Sequence, residues 1–202
     1  MTSSDTQTLR HLQQENIRLR NDINSLQDYN ERLLRGYKAM ASLHESVKNI
    51  TKDTNVFHLI REILISALDA VDSENGALLL LDDETSELVF VEVIGVARDK
   101  LLNYRLEKGL GVAGWVVKNR QSRLVEDVRR DPYFTITVDH YTGVDTQSLV
   151  CVPLLDANRP LGAIEAVNTR TGRPFTETDK EIMTIVGCLA SIAILAAEKI
   201  QA

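Results

Sequence analysis

The 202-residue sequence predicts an α+β domain, an antiparallel sheet flanked by helices, preceded by a parallel dimeric coiled-coil helix. Three features carry this. Leucine recurs every seven residues near the N-terminus, two strand-like apolar runs are joined by a short polar turn, and broad amphipathic helices stand on either side of the strands.

In the leading helix, Leu12, Leu19, Leu26 and Leu33 take the d positions of a heptad, and Leu9, Asn16, Ile23, Asn30 and Tyr37 take the a positions. An apolar seam two residues wide per heptad is that of a coiled coil, since a helix lying on a globular core shows a broader stripe. Asn at a is costly unless it meets its own copy across the axis, which happens in a parallel, in-register homodimer. Glu15 at g and Arg20 at e of the partner form an attractive pair in that register. The repeat weakens at Gly36, where helix propensity drops. The expected division is therefore a coiled coil over 1–40, a linker over 41–53 and a domain over 54–202.

Within the domain, Val56, Phe57, Ile60, Ile63, Leu64, Ala67, Leu68 and Val71 recur at helical spacing and predict a helix over about 54–71. GALLLLDD and ELVFVEVIG, separated by Asp83, Glu84, Thr85 and Ser86, predict an antiparallel hairpin. A short helix near Val112 follows, then strands over 123–127, 147–155 and 161–168. A last helix opens at Thr176, which can form a capping pair with Asp179, and its expected apolar face is Ile182, Ile185, Val186, Leu189, Ile192 and Ala193.

Composition excludes several function classes. A formal charge of −6 disfavours attraction to nucleic acid or to an anionic membrane. The N-terminus is polar and no signal peptide is expected; the longest apolar run, 182–197, is short for a membrane span. Cys151 and Cys188 both lie in apolar runs and are expected to be buried thiols of a cytoplasmic protein, with high pKa and poor reactivity. His11, His44, His58 and His140 are scattered, and no catalytic or metal-binding spacing is present. Gly109, Gly111 and Gly114 match the dinucleotide pattern, with Asp131 about twenty residues on, but no buried parallel strand precedes them. What they do permit is a tight entry into a helix whose first amides can receive an anion, or simply a loop-to-helix turn.

The run from Gly109 to Phe134, together with VDHYTGVDTQSLVCVPL, LGAIEAVNTRTGRPFTETD and the apolar final helix, resembles GAF domains over nearly all of the chain beyond the coiled coil. It is most similar to the GAF domains of cyclic-nucleotide phosphodiesterases and adenylyl cyclases. The resemblance implies a GAF-like fold and a non-catalytic sensor, with cyclic AMP or cyclic GMP as ligand, that passes its signal to a downstream protein. It also implies site residues: Val112 and Ala113 offering amides to the cyclic phosphate, and Asp139, Thr142 and Thr146 matching a D-x-x-T-G-x-x-T element. Thr135 lies in the same loop, and Glu165 takes the position that accepts from the purine. On the residues alone, Glu165 faces either a cavity or solvent, and Thr142 and Thr146 serve either a ligand or the turn around Gly143.

The sequence also departs from this pattern. Of the branch's Asn-Lys, Phe, Asp-Glu signature, Asn168, Phe175 and Asp179 remain, while Thr169 and Lys180 replace the lysine and the glutamate. Loss of the fold-closing Lys–Asp ion pair is the expected consequence. Ala77 and Ile94 stand near positions where the branch offers polar groups to the base. Two other readings compete: a ligand-free dimerisation or scaffold module, and a redox enzyme of the sulfoxide-reductase kind, which the two thiols do not suit.

Overall fold

The structure, a computed structural model, describes the backbone of residues 3–201 and the side chains of residue 7 and residues 10–200. Its contacts divide it into two units, residues 1–34 and residues 35–202.

Residues of the first unit belong to helix α1, Ser3–Lys48. Its heptad residues Leu12, Leu19, Ile23, Leu26 and Leu33 are 43–66% exposed, an uncovered row of large apolar side chains. The side chain of Leu9 lies outside the described residues.

In the second unit, α1 does not stop at Gly36, and the segment expected to be a linker is helical to Lys48. Gly36 serves packing rather than termination: a Cβ there would stand 3.1–3.2 Å from the side chain of Ile182. Ala39 and Leu43, one and two turns on, are buried in the core. Helix α2, Val56–Ala70, is capped by Asn55, whose side chain accepts from the N–H groups of Phe57 and His58 (3.0 and 3.2 Å). Its buried face is Leu59, Ile60, Ile63, Leu64, Ala67 and Leu68; Phe57, expected on it, is exposed.

Strands β1 (Ser73–Leu81), β2 (Leu88–Ile94), β3 (Arg105–Leu106), β4 (Arg123–Val125), β5 (Leu149–Asp156) and β6 (Arg159–Thr169) form one antiparallel sheet. Its order is β3-β2-β1-β6-β5-β4. Both faces are covered, which is why the strands read as continuous apolar runs rather than a clean alternation. On one face Leu78, Val150, Val152, Ile164 and Ala166 meet α1, α2 and the last helix. On the other, Ala77, Leu79, Phe90, Cys151 and Ala163 meet helices α3 (Arg98–Leu101) and α4 (Gly111–Asn119) and the loop that carries α5 (Thr137–Thr142).

Helix α6, Glu177–Gln201, starts with a reciprocal cap: the Thr176 N–H donates to Asp179 Oδ2 (2.8 Å) and the Asp179 N–H to Thr176 Oγ1 (3.4 Å). Its buried face is Ile182, Met183, Val186, Ala190, Ala193 and Ile194. Ile185 and Ile192, expected on that face, are 46% and 54% exposed, and Cys188, expected to be buried, is exposed as well. These three share the side of α6 turned away from the sheet. The span Glu177–Ile200 is long and apolar enough to cross a membrane, yet half of it is buried inside the protein as a core helix.

The fold-closing ion pair is not lost. Asp179, fully buried, accepts from Arg173 at 2.8 and 3.3 Å, so an arginine four residues after the missing lysine supplies the cation. Thr169 is itself buried and donates its hydroxyl to the Arg173 carbonyl (2.6 Å), which holds the turn that delivers the guanidinium.

Candidate ligand-binding cavity

Between the sheet and the helices α3, α4 and α5 lies a cavity of about 90 Å³. Each part of its wall has a local cause. Gly109 and Gly111 sit at φ +76° and +70°, a left-handed backbone that favours glycine. A Cβ on Gly114 would stand 2.4 Å from the Gly109 carbonyl carbon, so the first turn of α4 folds tightly over the glycine loop. The dinucleotide-like pattern thus builds a compact helix entry, and the strand before it, β3, is a two-residue antiparallel edge. Leu110, the residue before α4, provides no side-chain cap, and Gly111, Val112 and Ala113 of the first turn line the cavity.

The floor is sheet. Glu165 on β6 pairs with Ala77 of β1 on one side and Cys151 of β5 on the other. It borders the cavity together with Val167, Asn75 and Ala77, the residues that share its face. The solvent-facing alternative for Glu165 falls because α4 and α5 cover that face. Among the described residues no group donates a hydrogen bond to its carboxyl. Burial in this apolar site, and secondarily the nearby Asp139 carboxylate, push the Glu165 pKa from 4.5 up to about 7. Burial likewise pushes the Cys151 thiol well up, Glu165 adding to it, so this thiol is a core residue and a poor nucleophile.

The cover is the α5 loop, and Asp139, Thr142 and Thr146 build it. Asp139 accepts from both the Thr146 N–H (2.9 Å) and the Thr146 hydroxyl (2.7 Å). The Thr142 hydroxyl donates to the Val138 carbonyl (2.8 Å) and accepts from the Val144 N–H (3.2 Å). Both hydroxyl protons are therefore spent on the loop, and what these residues offer a guest is acceptor capacity and methyl surface. Thr135 also borders the cavity, its hydroxyl 3.0 Å from that of Thr137. All seven expected site residues, Val112, Ala113, Thr135, Asp139, Thr142, Thr146 and Glu165, line this one space.

Sequence reasoning missed how the cover is held down. Lys100 on α3 donates to the carbonyls of Tyr141 and Thr142 (3.1 and 3.0 Å) at the end of α5. At the other end Arg123 binds Asp131 (2.6 and 2.9 Å), its guanidinium lying over the rings of Trp115 (4.7 Å) and Tyr133 (4.6 Å). Asp131, the acid of the dinucleotide-like spacing, is thus engaged in anchoring the loop. Asn168, at φ +53°, accepts from the N–H groups of Gln147 and Ser148 (2.8 and 3.2 Å) and donates to the Asp145 carbonyl (2.9 Å). Asn75 was also missed, although alternation from Ala77 puts it on the cavity face.

The raised Glu165 pKa makes a stability prediction. An acid that holds its proton more tightly when folded favours folding below its unfolded pKa and loses that advantage as pH rises toward the folded value. Thermal stability is expected to fall between about pH 4.5 and pH 7, by at most about 3 kcal/mol, and then to level. Glu165→Gln should flatten that slope in thermal melts; an unaltered slope would show that the carboxylate is already compensated in the folded protein.

Comparison with known proteins agrees with this geometry. The GAF domain family model matches residues 54–195. A probable 3',5'-cyclic phosphodiesterase of Caenorhabditis elegans, pde-5, is 24% identical over 83% of this chain and 24% of its own length. The dual 3',5'-cyclic-AMP and -GMP phosphodiesterase 11A of Takifugu rubripes is 26% identical over 74% of this chain and 18% of its own. The chain thus spans a quarter or less of these relatives. Among solved structures, the GAF domain of a phosphoenolpyruvate-protein phosphotransferase from Coxiella burnetii superposes with a TM-score of 0.69 at 16% identity, covering 82% of this chain and 96% of that one. With more than half of its residues matched by the family model, in one continuous stretch that holds the whole sheet, the chain belongs to the GAF domain family.

Proposed function

We propose that this protein is a non-catalytic cytoplasmic sensor, a homodimer that binds a purine cyclic nucleotide in the cavity and signals through its terminal helices to a downstream protein. The observation that carries this reading is the composition of the cavity wall. The residues of an uncapped helix start line a space whose floor holds a carboxyl with no hydrogen-bond donor among the described residues and whose remaining surface is largely apolar. Such a wall suits a guest with an anionic group at one end and a hydrogen-bonding ring at the other. Similarity to two cyclic phosphodiesterases points the same way.

The cavity is smaller than the roughly 300–1,000 Å³ usual for such guests. Binding therefore requires the α5 cover to lift, which breaks the Lys100 contacts to Tyr141 and Thr142 first, since they are solvent-exposed. A cover that must open and reclose over the ligand gives binding a mechanical consequence at α3 and β2, and this is what a sensor needs.

Small cavity size and a loop satisfied by its own hydrogen bonds also favour a second reading, a ligand-free dimerisation or scaffold module. Isothermal titration separates the two. With cyclic AMP or cyclic GMP the sensor should give measurable heat and a raised melting temperature. A flat titration and an unmoved melt with both would leave the scaffold reading.

A further inference from the structure

Glu92 on β2 is a buried carboxylate outside the cavity, and the sheet presents it to helices on both of its faces. Leu78 stands opposite Glu92 and Leu79 opposite Phe90, so Val91 is the extra residue of a β-bulge. Directly opposed residues share a face, and Leu78 belongs to the face that α1, α2 and α6 cover. β3 is paired with β2 only at Leu88 and Val89, so at Glu92 the strand is the margin of the sheet. Two guanidiniums reach the carboxylate there. Arg61 comes from α2 on the one face (3.1 Å), and Arg98 from α3, which packs on the other. Both bind the same oxygen, Oε1, which also accepts from the Val93 N–H (3.2 Å).

The two helices joined in this way have different tasks. α3 is a single turn without a side-chain cap, and it holds the cover of the cavity. Lys100 binds the Tyr141 and Thr142 carbonyls, and the ring of Tyr104, just beyond α3, lies 5.5 Å from that of Tyr141. α2 lines no part of the cavity; its Ile60 and Leu64 share a core with Ala39 and Leu43 of α1 and Met183 of α6. At Glu92 one negative charge serves two cations. Arg61 cancels much of the field that Arg98 feels from the carboxylate, and Arg98 does the same to Arg61. We infer that Glu92 is a shared latch that couples the cover to α2 in opposition. A closed cover, with Arg98 docked, weakens the hold of Glu92 on Arg61. A lifted cover draws α3 and Arg98 away and leaves the whole carboxylate to Arg61. Movement over the cavity is thereby felt in the helical layer on the opposite face of the sheet, and by linkage a change at Arg61 is felt at the cover. The coupling is a property of the chain itself and does not depend on which guest enters the cavity.

Both arginine side chains are partly exposed, 45% and 37%, so either can be replaced without stripping a fully buried site. Hydrogen exchange of the full chain, with no ligand added, reads the cover through the amides of 136–146. Among these, Gly143 donates to the Asp139 carbonyl (2.7 Å) and Thr146 to the Asp139 carboxylate (2.9 Å). The central strands β5 and β6 report global opening. Lys100→Met and Glu92→Gln should each speed exchange of the cover by roughly two- to thirtyfold relative to those strands. Arg98→Met should do the same, and it takes the place of Glu92→Gln if that variant does not fold. Arg61→Met should act in the other direction and slow the cover by about twofold or more, because Arg98 then has the carboxylate to itself. In the Glu92→Gln background Arg61→Met should change nothing further. An ion pair of purely structural value would instead speed exchange in both single variants. Exchange of the cover that is faster or unchanged in Arg61→Met, that still responds to Arg61→Met without Glu92, or that changes only in step with β5 and β6, overturns the inference.

Discussion

Replacing Asp179 by Ala is expected to lower the stability of the domain by roughly 3–5 kcal/mol, a large part of what a domain of this size possesses. The contacts of its carboxylate go together. The carboxylate is fully buried and carries the ion pair with Arg173. It accepts from both the N–H and the hydroxyl of Thr176 at 2.8 Å, and so fixes the start of α6. Through these contacts it ties the 170–176 turn to α6, whose Ile182, Met183 and Val186 belong to the core. Arg173 keeps 22% of its side chain exposed and can partly rehydrate, which places the expectation near the lower end. Asp179→Asn retains an acceptor for Thr176 and should cost distinctly less. Urea denaturation of the three proteins measures this, and a loss below about 1 kcal/mol for the alanine variant would show that Arg173 contributes nothing as the replacement cation.

That residue marks the boundary of what the sequence revealed. The helices and the hairpin were legible because burial leaves a period: α2 repeats at i, i+3 and i+4, and β1 and β2 are bounded by polar turns. Arg173 carries no such mark. Nothing local distinguishes an arginine that turns back to a buried acid from one in a solvated loop, so a changed motif position read as a lost ion pair when the charge had only moved along the chain. The α6 face failed for a related reason. Ile185 and Ile192 are as apolar as Ile182, and periodicity alone cannot choose between two apolar sides of one helix; the small residues Gly187, Ala190 and Ala193 set the side that packs closely. The cavity residues came from resemblance, and the structure places them around one space. The Thr142 and Thr146 hydroxyls, which the sequence left open between ligand and turn, bond within the loop, which must satisfy its own polar groups. Lys100 was invisible since it acts on carbonyls 41 and 42 residues away, and Arg123 since nothing local marks its turn back onto Trp115, Asp131 and Tyr133.

Leu19→Pro combined with Leu26→Pro is expected to convert the proposed dimer into a single chain in light scattering. The row Leu12, Leu19, Ile23, Leu26 and Leu33 is too apolar and too regular to be left in water without consequence. The helix that bears it continues past Leu34, but the side it buries in the domain carries Gly36, Ala39 and Leu43, which are not heptad a or d residues. Tyr37, the next a position, is 68% exposed where its neighbour Gly36 is buried. The helix thus buries Gly36, Ala39 and Leu43 and leaves Leu12, Leu19, Ile23, Leu26, Leu33 and Tyr37 exposed, the row on which a second copy is proposed to pair. Each proline removes a helix hydrogen bond and costs about 3 kcal/mol in the interior of a helix, enough together to abolish pairing of four heptads. The core of residues 35–202 does not depend on Leu19 or Leu26, so far-UV and near-UV signals of the domain should survive and separate lost pairing from lost folding. A mass that stays at two chains would move the interface elsewhere, first to the exposed Ile185, Cys188 and Ile192 side of α6.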